Sequence, residues 1–97
     1  MKLHWTEDAI NDRISIYEYI EAENPLAALD MDELFSEQAK LLIQHPEIGR
    51  LGRVAKTREL VAHKSFVMVY TLTKDKVYIL RVLHTSRQWP PFSSNKN

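Results

Sequence analysis

The residues best suited to chemistry lie at the end of an apolar segment near the carboxyl terminus. The segment VYILRVLH ends at His84 and is followed by Arg87 and Trp89, while Arg58 begins an earlier apolar segment that we place alongside it. A histidine can transfer protons near neutral pH, arginines can hold a phosphate and tryptophan can stack on a base. The sequence therefore indicates a target-binding cluster of Arg58, His84, Arg87 and Trp89. His84, Arg58 and Arg87 are its candidate catalytic residues if the chemistry is RNA cleavage.

A purely structural role for the same cluster is the alternative. In that interpretation His84 caps the end of a strand and Trp89 covers the edge of a sheet. Other kinds of site are disfavoured, because the chain has no cysteine and His4, His45 and His63 lack metal-ligand spacing with acidic residues. With no glycine-rich phosphate loop and no nucleophile motif either, we expect no metal and no cofactor.

Composition indicates one globular domain with charges of opposite sign in its two halves. The chain has 97 residues, of which 44% are hydrophobic and 27% charged, and its thirteen basic residues balance thirteen acidic ones. Most acidic residues precede His45 and most basic residues follow it. This asymmetry permits an anionic partner on the second half. Two solvated surfaces of opposite charge, with no such partner, would explain the same pattern.

The start of the chain gives an expectation about location. The stretch MKLHWTEDAIND has no apolar run of signal-peptide length, and no later stretch approaches a membrane span. We therefore expect a cytoplasmic protein with no membrane partner.

The first half predicts a short strand and two helices. KLHW is typical of a strand, and Thr6 is a good N-cap for an amphipathic helix that runs to about Glu23. Asn24 and Pro25 then start a second helix, which the stretch QHPEIG ends. Two helices with almost no loop between them form an αα-hairpin.

The second half predicts three strands. TRELVAH, FVMVYTLT and KVYILRVLH alternate with period two and are separated by very short turns, which favours an antiparallel meander. The predicted fold is α+β, with a short N-terminal strand and an αα-hairpin packed on the meander. We assign residues 1–90 to one domain and residues 91–97 to a flexible tail.

Strand alternation assigns residues to the two faces of this sheet. It places Glu59 and Arg81 together on the face towards the helices, where a buried arginine needs an acidic partner, so we predict that they form a salt bridge. The opposite face is predicted to be apolar enough to bind another protein, through Leu60, Val67, Val69, Leu80 and Val82.

The order of these elements resembles the RelE/ParE superfamily of toxins from bacterial type II toxin–antitoxin modules. The resemblance extends from about Lys2 to Pro90 and is carried by RELVAH, FVMVYTL and VYILRVLHTSRQWP. The last of these segments is most similar to the ParE branch. The resemblance implies a toxin that arrests growth and is neutralised by a cognate antitoxin. We expect a helical or extended segment of the antitoxin to lie across the apolar face or along the adjoining helices.

Two activities are implied by the superfamily. RelE-like members cut mRNA on the ribosome, whereas ParE-like members are associated with inhibition of DNA gyrase and would not be enzymes in this sense. RelE-like members usually carry an arginine three residues before the tyrosine that ends the middle strand, where this chain has Val67. Since losing one such charge can reduce a rate by roughly 10²–10³, the ParE-like activity with gyrase as target is favoured. A ribosome-dependent mRNA interferase and a non-toxic peptide-docking module remain the alternatives.

Overall fold

The computed structural model describes residues 1–86 and contains two helices packed against a five-stranded sheet. The elements are β1 (Lys2–Trp5), α1 (Glu7–Glu21), α2 (Pro25–Gln44), β2 (Arg50–Leu51), β3 (Thr57–His63), β4 (Phe66–Leu72) and β5 (Lys76–His84). The α+β fold, the N-terminal strand, the helical hairpin and the three-stranded meander are confirmed. Arg87, Trp89 and the predicted tail at residues 91–97 lie outside the described residues.

The helices begin where capping chemistry predicts. Thr6 Oγ1 accepts a hydrogen bond from the Ala9 amide at 3.2 Å, and Asn24 Oδ1 accepts one from the Ala27 amide at 3.1 Å. Pro25 occupies the first turn of α2. The N–H groups of that turn have no acceptor within the helix, so a proline there costs no hydrogen bond. α1 ends at Glu21, two residues before the predicted Glu23, because the next residues form the turn into α2.

The strands are arranged in the order β1-β5-β4-β3-β2. The pairs β3–β4 and β4–β5 are antiparallel, as the predicted meander requires. β1 pairs in parallel with the other side of β5, with Lys2 opposite Lys76 and Trp5 opposite Ile79. The two-residue strand β2, which sequence alternation does not reveal, extends the other edge by pairing with β3.

A register shift in β5 changes the faces that sequence alternation assigned. Met68 pairs with Val82 rather than with Arg81, because the pairing between β4 and β5 shifts by one residue after Val69. Leu60, Met68 and Val82 therefore form one row across three strands, and this row belongs to the core under the helices. The prediction that Leu60 and Val82 lie on the face away from the helices is wrong. The shift after Val69 reverses the face of Val82, and the register of β3 with β4 places Leu60 opposite the core residue Met68.

The predicted Glu59–Arg81 salt bridge is also wrong. Both residues are in register with Val69, on strands at either side of it, so their backbones are about 10 Å apart. Glu59 instead pairs with Arg50 on β2, with 3.0 Å between Arg50 Nη2 and Glu59 Oε1. Arg81 pairs with Asp12 on α1, with 2.7 Å between Arg81 Nε and Asp12 Oδ2.

The core lies between the helices and the sheet, and Tyr70 fixes the chain where it leaves α2. Its hydroxyl donates to the Pro46 carbonyl at 2.7 Å and accepts from the Gly49 amide at 3.0 Å. Glycine is required at position 49 because a Cβ there would lie 2.7 Å from the Tyr70 ring. Burial raises the pKa of the Tyr70 phenol above its ordinary value.

Within residues 1–86, neither helix combines the length and apolar character that a membrane-spanning segment needs.

Candidate functional site

His84 is exposed at the end of β5 and is held by its own turn. Its Nδ1 accepts the Ser86 amide at 3.1 Å and lies 2.8 Å from Ser86 Oγ, while its ring contacts Phe66 edge-on at 5.4 Å between centroids. Because Nδ1 is the acceptor, the neutral ring carries its proton on Nε2. The outward-facing nitrogen of this tautomer is therefore a hydrogen-bond donor.

Arg58 is held at the other end of the sheet. Its Nη1 donates to the Gly49 carbonyl at 2.8 Å and to the Glu47 carbonyl at 3.3 Å, which ties β3 to the turn after α2. Arg58 on β3 pairs with Tyr70 on β4, whereas His84 on β5 pairs with Phe66 on β4. Arg58 and His84 are therefore two strands apart and offset by the four residues from Phe66 to Tyr70. These offsets put the backbones of Arg58 and His84 about 16 Å apart. The structure does not bring these two predicted site residues together.

Val67 lies on the face of the sheet away from the helices. It pairs with Val61 on one side and Leu83 on the other, in a small depression that Arg50, Arg53 and Glu59 also line. Arg50 is paired with Glu59, and the Glu59 side chain also accepts the Arg53 amide at 3.4 Å. Of the two arginines that line this depression, Arg50 is therefore held in an ion pair, and Arg53 contacts Glu59 through its backbone amide.

The predicted antitoxin-binding set is divided between the two faces. Leu60 and Val82 belong to the core, and Val69 is fully buried although it lies in the row on the opposite face. Val67 and Leu80 are half-buried. These residues do not form one continuous exposed apolar surface.

An exposed apolar groove lies instead along the outer side of the helical hairpin. Ile10, Ile14 and Tyr17, one turn apart on α1, line a depression of about 400 Å³, which we call the hairpin groove. Ile10 is 46% exposed and Ile14 is 49% exposed. Its rim is acidic through Glu18, Glu21 and Asp32, and the Arg13 guanidinium is held by Asp32 at 2.8 Å.

Asp12 is the principal polar residue that sequence reasoning missed. Its carboxylate accepts from Arg81 Nε at 2.7 Å, from Arg81 Nη2 at 3.0 Å and from the Val82 amide at 2.9 Å. The hydrogen bonds to Asp12 raise the pKa of the Arg81 guanidinium, although burial opposes this. The only sequence signal was an acid on α1, a helix that carries several others.

The fold is that of a small α+β protein in which two of the predicted site residues, Arg58 and His84, lie at opposite ends of the sheet. Residues 3–89 match the family model described as ParE toxin of type II toxin-antitoxin system, parDE. The chain belongs to this family of type II toxins, and the predicted resemblance is confirmed.

Relatives and a solved structure agree with this membership. The chain is 36% identical to Y4kP of Sinorhizobium fredii over 92% of its own length and 93% of that protein. It is 37% identical to the toxin RelE2 of Caulobacter vibrioides, over 86% of this chain and 93% of that one. A structure from the chromosomal ParDE system of P. aeruginosa superposes with a TM-score of 0.78 at 27% identity, covering 87% of this chain and 95% of that chain.

Proposed function

We propose that this type II toxin arrests growth by acting on DNA gyrase and that a cognate antitoxin neutralises it. The observation that carries the proposal is the separation of about 16 Å between the backbones of Arg58 and His84. General acid–base cleavage needs both side chains within hydrogen-bond reach of one phosphodiester, and the Arg58 guanidinium is instead held at the opposite end of the sheet by the Gly49 carbonyl at 2.8 Å. Contact with a protein target does not need that convergence. Gyrase acts on chromosomal DNA, so the place of action would be the cytoplasm.

The uncharged side chain at position 67 also supports gyrase inhibition over RNA cleavage. Val67 has no charge to offer a phosphorane-like transition state, and Arg50 beside it is held by Glu59. Preorganised charge is usually the largest contribution to such catalysis. A chain with this arrangement is better suited to binding than to cutting RNA.

We propose the hairpin groove as the antitoxin surface, in place of the set that the register shift divides. An apolar groove with an acidic rim fits an amphipathic helix that carries aliphatic anchors and basic flanks. The antitoxin of such a module has to bind the toxin tightly, and exposed isoleucines are costly to leave in water. An antitoxin segment of this kind would cover Ile10 and Ile14.

Expression in growing bacteria tests the proposal. Induction of the chain alone should stop growth with filamentation and a DNA-damage response, and co-expression with the neighbouring antitoxin gene should restore growth. Rapid arrest of translation without filamentation would contradict the choice of gyrase. Normal growth at high levels of folded protein would contradict the toxin function itself in that host.

Ribosome-dependent mRNA cleavage is the second candidate, because one relative bears the name toxin RelE2. In that case His84 would supply proton transfer, with Arg58 or Arg87 at the phosphate. A His84→Ala variant distinguishes the two candidates when translating ribosomes are the substrate. Cleavage in the decoding site that this variant abolishes would establish the interferase.

A further inference from the structure

One end of the sheet concentrates lysines that the proposed function does not use. Lys2 begins β1, Lys76 begins β5, Lys74 is in the turn before β5, and Lys56 immediately precedes β3. We call these four residues the basic end. Lys2, Lys56 and Lys74 are exposed and Lys76 is half-buried, and among residues 1–86 no acidic side chain forms an ion pair with any of them.

The fold, rather than the chain order, brings these charges together. Lys2 and Lys76 are direct partners in the parallel β1–β5 pair, on backbones about 4.8 Å apart. Two ammonium groups so placed repel each other, and Asp75 in the adjacent turn offsets only part of that repulsion. An anion that contacts both ammonium groups would relieve this repulsion.

Lys56 carries a second local cost at the same end. It is the non-glycine residue with a positive φ within residues 1–86, at 68°, where glycine or asparagine would be less strained. Its loop is nevertheless well ordered by hydrogen bonds: the Gly52 amide donates to the Thr57 carbonyl at 2.8 Å, and Thr71 Oγ1 donates to the Lys56 carbonyl at 2.6 Å. A strained lysine in a rigid loop points to a role for its side chain.

We infer that the basic end binds the phosphate backbone of duplex DNA. From β1 to β3 the four lysines span three strand spacings, or about 14 Å. At about 3.4 Å of helix axis per phosphate on one strand, this span covers about four phosphates. The inference rests on the proposed function in naming duplex DNA, since that is the nucleic acid on which gyrase acts.

A salt-dependent binding assay without gyrase tests the inference. A labelled short DNA duplex is titrated with the full chain by fluorescence anisotropy between about 50 and 200 mM salt, and single-stranded RNA of equal length is titrated in parallel. Removing one lysine that contacts a phosphate should reduce the slope of log affinity against log salt by about 0.9. Lys56→Gly and Lys74→Ala should each do so, and their combination should reduce it by about twice as much.

Lys64 provides the matched control. It is an exposed lysine in the turn between β3 and β4, at the opposite end of the same sheet, so Lys64→Ala removes the same net charge. We expect this variant to keep the wild-type slope. We also expect Lys56→Gly to melt at or above the wild-type temperature, because it relieves the strained backbone while it weakens DNA binding.

Several results would overturn the inference. They are absence of salt-dependent duplex binding by the wild type, binding to single-stranded RNA alone, or equal losses for Lys64→Ala and Lys56→Gly. If Lys56→Gly fails to fold, the salt dependence of DNA binding by Lys74→Ala and Lys76→Ala tests the inference in its place. Because this assay contains no gyrase, a wild-type chain that inhibits gyrase in a separate assay but does not bind duplex DNA would refute this inference and leave the proposed function standing. A wild-type chain that binds duplex DNA through these lysines but does not inhibit gyrase would refute the proposed function and leave DNA binding standing.

Discussion

At the scale of single residues, Asp12 connects the helical layer to the sheet. β1 pairs with β5 only as far as Ile79, so the following residues of β5 have no strand beside them at that edge. The Asp12 carboxylate takes the place of a strand there by accepting the Val82 amide and both guanidinium donors of Arg81. The Asp12 side chain therefore provides an acceptor for a backbone amide at the open edge of β5. It also neutralises the charge of Arg81, which is largely removed from water.

Removing that carboxylate should destabilise the fold. Asp12→Ala leaves the Arg81 guanidinium and the Val82 amide without this acceptor, and we expect a loss of about 2–3 kcal/mol in the free energy of unfolding. Chemical denaturation of Asp12→Ala, Arg81→Met and the double variant measures it. The two substitutions should be non-additive by about 1–3 kcal/mol.

The pair Glu59 and Arg81 supplies the control. Their backbones are about 10 Å apart, with Val69 between them, so Glu59→Gln and Arg81→Met should add within about 0.5 kcal/mol. A large coupling between Glu59 and Arg81, with none between Asp12 and Arg81, would show that the observed pairing does not hold in solution.

At the scale of elements, the hairpin α1–α2 has two apolar sides. Ala9, Phe35, Ala39 and Leu42 pack into the core, while Ile10 and Ile14 remain about half exposed in the hairpin groove. Placing the two isoleucines one turn apart gives a partner helix two adjacent contact points. The helices thus build the core with one side and leave an apolar groove exposed on the other.

A charge placed in this groove should weaken antitoxin binding without unfolding the toxin. We expect Ile14→Asp to reduce affinity for the antitoxin at least tenfold, or about 1.4 kcal/mol, because it removes buried apolar area and adds to the acidic rim. Isothermal titration calorimetry with the purified antitoxin measures the loss.

Val61 is the comparison residue for this test. It is 51% exposed on the opposite face of the sheet, so Val61→Asp introduces the same charge at a similar exposure. Unchanged affinity for Val61→Asp is expected. Equal affinities of the wild type, Ile14→Asp and Val61→Asp for the antitoxin would contradict the proposal that the hairpin groove is the antitoxin surface.

The elements were largely predictable from sequence, and their lateral arrangement was not. Thr6 and Asn24 cap residues three positions away and Pro25 occupies the first turn of α2, so the helix starts could be predicted from local chemistry. The register shift after Val69 and the parallel pairing of Lys2 with Lys76 depend on contacts between distant segments. Alternation carries no signal for either, and for that reason the face of Val82 and the partner of Arg81 were predicted wrongly.

At the scale of the whole molecule, the chain separates its charges. The acidic rim of the hairpin groove lies on the helical layer, whereas the basic end lies along one end of the sheet. A partner with basic flanks and a polyanion would therefore be drawn to different surfaces. This separation would let an antitoxin bind the helices while the target contacts are made elsewhere, unless the antitoxin is large enough to cover both.

The candidate site could be predicted only as separate residues. His84 is exposed at a strand end as its position in the sequence suggested, but its distance from Arg58 depends on the order and register of three strands. A list of suitable residue types could not exclude their convergence. The fold separates Arg58 from His84, and this separation supports our proposal of a gyrase target over RNA cleavage.

The most direct measurement is the effect of the purified toxin on DNA gyrase and on translating ribosomes under matched conditions. We predict that the toxin inhibits supercoiling or traps gyrase with cleaved DNA, that added antitoxin reverses this, and that mRNA on the ribosomes stays intact. Unimpaired gyrase together with mRNA cut in the decoding site, and loss of that cutting in His84→Ala, would contradict this prediction.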